Sequence, residues 1–214
     1  MKIRREDLRL YAVTDRSWLG SARLYDQVEK ALKGGATMIQ LREKNLEKEE
    51  LIQEAREIGR LCRQYGVPFL INDQVEIARL VDPDGVHVGQ NDARPEEARK
   101  ILGKGKIIGV TARTLEQAVK AQEEGADYLG VGAVFPTSTK KDTSPVTREQ
   151  LKEICSTVSI PVVAIGGINE ENIQKLSGCG LAGVAVVSAI FAKADIEQAS
   201  RNLRELSWRV VSGK

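Results

Sequence analysis

Gln40, Arg42 and Lys44 stand two residues apart at the end of the apolar run 36–41. Side chains alternate faces along a strand, so an extended run points all three one way, and Ile39 and Leu41 the other. Two cations and an amide at a strand end make a surface for an anion. A solvated charge cluster leading into the charged segment 47–63 would have the same composition. What shares the surface decides between them.

Asp73 and Asp92 are two carboxylates placed after successive apolar runs. Converging on one mouth, they suit Mg²⁺, which takes one or two carboxylates plus waters and phosphate oxygens. Helix capping is the alternative for each; it fits Asp73, directly before 74–81, better than Asp92, which lies three residues before Pro95. Arg42, Lys44 and Lys140 can surround the same oxygens, Arg as a fork and Lys as a point charge. With a metal, that set suits a pyrophosphate. Gly166-Gly167 and Ser188 follow later strands, where backbone N–H groups can hold a phosphate; a plain tight turn would also use those glycines. Two anion sites imply a reaction between two phosphorylated small molecules. His87 is the only histidine and, lying within a strand, reads as structural.

These residues are positioned by an alternation of strand and helix. Strands are expected at 8–15, 37–42, 68–73, 85–89, 106–111, 126–132, 161–165 and 182–187. Helices are expected at 24–33, 47–65, 75–81, 95–102, 114–124, 147–155, 169–177 and 190–211. Val/Ile/Leu runs alternating with helices imply a parallel sheet covered by helices, and eight units fit a single (β/α)₈ barrel, an α/β TIM barrel over 1–214. The rival doubly wound sheet usually opens with GxGxxG, absent here. The polar candidates all follow strands, at the end where such barrels carry their active face; the strand starts carry no comparable set.

Composition narrows the rest. The chain has 214 residues, 42% hydrophobic and 29% charged, with net charge +2. That balance gives no case for nucleic acid, and 4% aromatics gives none for base stacking. Cys62, Cys155 and Cys179 form no CxxC pair and read as free thiols. No signal-like N-terminus and no apolar run of about 20 residues predict a cytoplasmic protein without membrane contact. A homo-oligomer is left open.

Five short motifs, in order along most of the chain, resemble those of the thiamine phosphate synthase family: Gln40-Leu41-Arg42-Glu43-Lys44, Ile71-Asn72-Asp73, 85–90 with Asp92, 136–141, and Ile165-Gly166-Gly167-Ile168. The resemblance implies a (β/α)₈ transferase that couples 4-amino-2-methyl-5-hydroxymethylpyrimidine pyrophosphate to a thiazole phosphate and releases pyrophosphate. By motif position it assigns the pyrimidine pyrophosphate to Gln40, Leu41, Arg42, Glu43, Lys44, Asn72, Thr111 and Lys140, with Arg42 and Lys140 catalytic. It assigns Mg²⁺ to Asp73 and Asp92, and the thiazole phosphate to Thr137, Ser138, Thr139, Gly167, Val187 and Ser188. The implied displacement is dissociative and requires no protein base. Thr111 stands where many of these synthases have Ser, keeping the hydroxyl. The alternatives are a thiazole tautomerase, whose working histidine near Arg113 is absent here, and a non-catalytic barrel binding phosphorylated metabolites.

Overall fold

The computed structural model describes residues 3–137 and 145–213. Each apolar run forms one strand of a closed, all-parallel barrel in chain order. The strands are β1 (Leu10–Val13), β2 (Met38–Leu41), β3 (Phe69–Asn72), β4 (Gly85–Val88), β5 (Ile107–Ala112), β6 (Tyr128–Gly132), β7 (Val162–Ile165) and β8 (Gly183–Val186). The helices between them are α1 (Leu24–Lys33), α2 (Lys48–Tyr65), α3 (Val75–Val81), α4 (Pro95–Leu102), α5 (Leu115–Glu123) and α6 (Arg148–Thr157), with α7 (Ser188–Phe191) and α8 (Ile196–Ser212) after β8. Local chemistry sets their ends. Gly66 closes α2 with φ 65°, a left-handed turn that favours glycine. Thr114 accepts the Gln117 N–H at the start of α5, but Gln117 returns its side-chain oxygen to the Arg113 N–H rather than to Thr114. Among the described residues no helix is long and apolar enough to cross a membrane.

Alternation divides the apolar residues into two layers. Ile39, Leu41, Ile71, Val86, Val88, Leu129 and Val131 face outward and pack under the helices. Tyr11, Val13, Met38, Leu70, Ile107, Tyr128 and Val163 fill the barrel interior. Two expected helices differ. Residues 169–177 form only a 3-10 turn at Ile173–Leu176, because the Asn169 carbonyl oxygen of the side chain takes the Glu171 and Asn172 N–H groups in a local turn. The segment 190–211 is split: α7 begins at Ser188 and ends at Phe191, and Asp195 caps a new helix by accepting the Gln198 N–H.

The strand starts carry polar residues of another kind, spent on the backbone. Thr37, Asp84 and Asp127 each immediately precede an even-numbered strand, and each clasps the preceding strand twice. The Thr37 N–H donates to the Leu10 carbonyl, and its Oγ1 accepts the Leu10 N–H. Asp84 makes the same pair with Phe69, and Asp127 donates to the Ile108 carbonyl and accepts its N–H. At the fourth equivalent place, Ala182 gives its N–H to the Val162 carbonyl but has no oxygen to return. These groups serve the backbone at the base of the barrel.

Candidate active site

At the C-terminal end of the strands, the interior opens into a cavity of about 160 Å³. Gln40, Arg42, Asn72 and Thr111 line one part of it; Gly167, Val187, Ser188 and Thr137 line another. A second hollow of about 320 Å³ shares Thr137, Gly167 and Ser188 and adds Lys193. Val13, Val163, Ile165 and Ala185 supply an apolar wall. Strand alternation accounts for much of the set: Gln40 and Tyr11, Thr111 and His87 fall on inward positions.

Arg42 is held rather than loose. Its Nη1 donates to Asp15 Oδ2 at 2.9 Å, and its backbone N–H donates to Thr14 Oγ1 at 3.0 Å. Asp15 also accepts the Ser17 N–H at 2.9 Å. Burial alone would push the Asp15 carboxyl up, but the Ser17 bonds and the Arg42 cation outweigh it, leaving it below its ordinary value. The guanidinium keeps further donors for a ligand.

Leu41 and Glu43, placed by motif among the pyrophosphate contacts, send their side chains elsewhere. Leu41 packs in the outer layer under the helices, as odd positions of β2 must. Glu43 is buried and its Oε2 accepts from Arg16 Nε at 2.8 Å, while Arg16 also holds Glu54. Burial pushes the Glu43 carboxyl above its ordinary value, Arg16 pulls against this, and Glu54 adds to it. Neither side chain lines the cavity. Lys44 is exposed and does not line the cavity.

Asp73 and Asp92 are both exposed at the ends of adjacent strands. Asp73 has φ 59°, a left-handed conformation that Asp tolerates better than most residues, and accepts from Asn72 Nδ2 at 2.6 Å. Asp92 Oδ2 accepts the Gly89 N–H at 2.7 Å. Neither caps a helix: the α3 and α4 N-caps are Gln74 and Arg94. Among the described residues, no group of three or more His, Cys, Asp or Glu side chains forms a metal cage. Ser138, Thr139 and Lys140 lie outside the described residues.

Gly166 and Gly167 have φ 96° and 66°, and a Cβ on either would collide with residues 133–136. The connection after β6 therefore packs directly on this turn, with the Phe135 N–H on the Gly166 carbonyl. A tight turn and a close-approach surface are here the same object.

The residues that sequence reasoning missed are Tyr11, Tyr128, Asp15 and Lys193. Tyr11 and Tyr128 lie within strands rather than after them, so the strand-end pattern does not mark them. The available signal was Gly109, mid-strand in β5, where an added Cβ would collide with the Tyr128 ring. His87, read as structural, lines the cavity with Nδ1 on the Tyr128 hydroxyl at 2.8 Å and Nε2 on Thr111 Oγ1 at 2.9 Å.

Residues 10–190 match the family model described as thiamine monophosphate synthase. A thiamine-phosphate synthase of Clostridium tetani is 49% identical over 197 residues, covering 92% of this chain and 94% of the relative. One of Persephonella marina is 46% identical over 202 residues, covering 94% and 97%. Among solved structures, a thiamine phosphate pyrophosphorylase of Pyrococcus furiosus superposes with a TM-score of 0.89 at 40% identity, covering 97% of this chain and 98% of that one.

Proposed function

Since the chain belongs to the thiamine monophosphate synthase family, transferases of thiamine biosynthesis, we propose that it joins 4-amino-2-methyl-5-hydroxymethylpyrimidine pyrophosphate to a thiazole phosphate and releases pyrophosphate. The observation that carries this reading is convergence. Gln40, Arg42, Asn72 and Thr111 line one cavity, which shares Thr137, Gly167 and Ser188 with a second hollow. One chamber can thus hold two phosphorylated reactants end to end.

Arg42, fixed by Asp15, faces the leaving pyrophosphate and stabilises the negative charge that grows on it; Lys140 is proposed to do the same. Hard oxygen donors on adjacent strand ends fit Mg²⁺, which needs only one or two protein carboxylates beside phosphate oxygens and waters. Asp73 and Asp92 would hold it, and when bound it adds positive charge at the pyrophosphate. Departure of pyrophosphate leaves a pyrimidine methylene cation. Val163, Ile165 and Ala185 keep water away from that carbon until the thiazole nitrogen, with its own lone pair, captures it. No general base is required. Both phenols of the site are pushed above the ordinary tyrosine value by burial and keep their protons. Both ring nitrogens of His87 are engaged within the wall, which disfavours a tautomerase that would use it as acid or base.

The test is direct. The protein, both substrates and Mg²⁺ are mixed, and pyrophosphate and thiamine phosphate are quantified together. Equimolar appearance of the two supports the reading; neither product at micromolar enzyme sinks it.

A further inference from the structure

We propose that Tyr11, Tyr128 and His87 are positioning residues that form a one-way hydrogen-bond relay between Gln40 and Thr111, setting which atoms those two residues present to the cavity. Gln40 Nε2 donates to the Tyr11 hydroxyl. The Tyr11 and Tyr128 hydroxyl oxygens are 2.8 Å apart. Tyr128 meets His87 Nδ1 at 2.8 Å, and His87 Nε2 meets Thr111 Oγ1 at 2.9 Å. The interior links are shielded from water, with Gln40 3%, Tyr11 1%, Tyr128 0% and His87 7% exposed. Two glycines make room: a Cβ on Gly109 would collide with the Tyr128 ring, and one on Gly130 would lie 3.1 Å from His87 Cε1.

The direction follows from counting protons. An amide NH₂ can only donate, and each phenol carries one proton. With Gln40 Nε2 donating to Tyr11, the Tyr11 proton goes to Tyr128. The Tyr128 proton then goes to His87 Nδ1, so the imidazole carries its proton on Nε2 and donates it to Thr111 Oγ1. Thr111 is left with its own proton for the cavity, and Gln40 with its carbonyl oxygen. With a neutral imidazole, the reverse sense is the only other complete pattern. It turns the Gln40 amide over, places the imidazole proton on Nδ1 and commits the Thr111 hydroxyl to His87. A mixed pattern leaves two donors or two acceptors facing each other in a buried site, which is costly. The relay is therefore a two-state device, and the amide at its head selects the state. Its consequence for substrate, an acceptor at Gln40 and a donor at Thr111, rests on the transferase reading; the relay itself does not.

The single histidine makes the test clean, because ¹⁵N-histidine labelling yields one pair of ring signals. In the ligand-free protein at mildly alkaline pH, the neutral ring is expected as the Nε2–H tautomer. An Nδ1–H tautomer, or an averaged mixture, overturns the proposal. Tyr128→Phe keeps the ring and removes the link; the tautomer is expected to become mixed, and kcat for condensation to fall about five- to tenfold with less change in KM. Tyr11→Phe, a second variant should the first not fold, is expected to act the same way. Unchanged tautomers in both variants overturn the relay even if activity falls. If the wild type makes no thiamine phosphate, the transferase reading fails while the spectrum still decides the relay.

Discussion

The two ends of this barrel both carry charged and polar residues, but they use them differently. At the base, the carboxylates are committed to the fold. Asp84 and Asp127 clasp the starts of β3 and β5, Asp127 also binds Arg99 at 2.7 Å, Asp82 holds Lys106, and Asp7 holds Arg4. A cleft of about 510 Å³ opens there, larger than the mouth cavity. At the mouth, polar groups are tied to one another through side chains, as Arg42 to Asp15 and Gln40 through to Thr111, and their remaining valences face the cavity. Volume would choose the wrong end. Whether a polar group is satisfied by the strand backbone or aimed past it chooses the right one.

That contrast breaks if mouth and base substitutions have the same signature. The largest effect is expected from Arg42→Ala, with kcat/KM lower by about a hundredfold and the urea midpoint nearly unmoved. Loss of stability matching the loss of rate would instead make Arg42 a base-type residue. Asp127→Ala should do the opposite, costing about 2 kcal/mol in urea unfolding by orphaning the Ile108 N–H and removing the Arg99 ion pair, with kcat intact at low temperature. Gly109→Ala touches both roles. Overpacking against Tyr128 should cost roughly 1–2 kcal/mol and lower turnover together, measured by melts and kinetics on one preparation.

The smallest effect belongs to Asp15→Asn. It keeps the shape and removes the charge that steadies Arg42, raising KM for the pyrimidine substrate about threefold. The same carboxyl, held below its ordinary value, adds stability above the unfolded Asp value near 4, and loses it as pH falls through its lower folded value. Wild type and Asp15→Asn should therefore converge in stability in acid. A gap that widens as pH falls would contradict the ion pair.

Much of the mouth was legible because strand alternation and chain order decide it. Gln40 and Arg42 fall on inward positions of β2 and its extension, Asn72 ends β3, Thr111 is the last residue but one of β5, and Gly167 follows β7 by two residues. What escaped were contacts that cross the barrel. Nothing near Tyr11 in the sequence says that its hydroxyl meets Tyr128, 117 positions away, and Asp15, expected as the last residue of the first strand, lies past β1 and meets Arg42 across the β1–β2 pair. The base escaped for the opposite reason. Thr37, Asp84 and Asp127 sit at strand starts as ordinary turn residues, and only the register shows each one returning to the strand before it. The 3-10 turn at Ile173–Leu176 was lost because Asn169 serves a turn as readily as a helix.

The clasps at Thr37, Asp84 and Asp127 have a kinetic reading. They join β1 to β2, β3 to β4 and β5 to β6, and Ala182 leaves β7 and β8 without the returned bond. Amide hydrogen exchange should register this as a staircase around the ring, with Leu10, Phe69 and Ile108 slow and Val162 faster. Of the four seams that pair an odd-numbered strand with the one after it, the one without the returned bond lies beneath the strands that lead into Gly166, Gly167 and Ser188. Opening of the barrel is thus expected to begin under the hollow where the second reactant is proposed to rest.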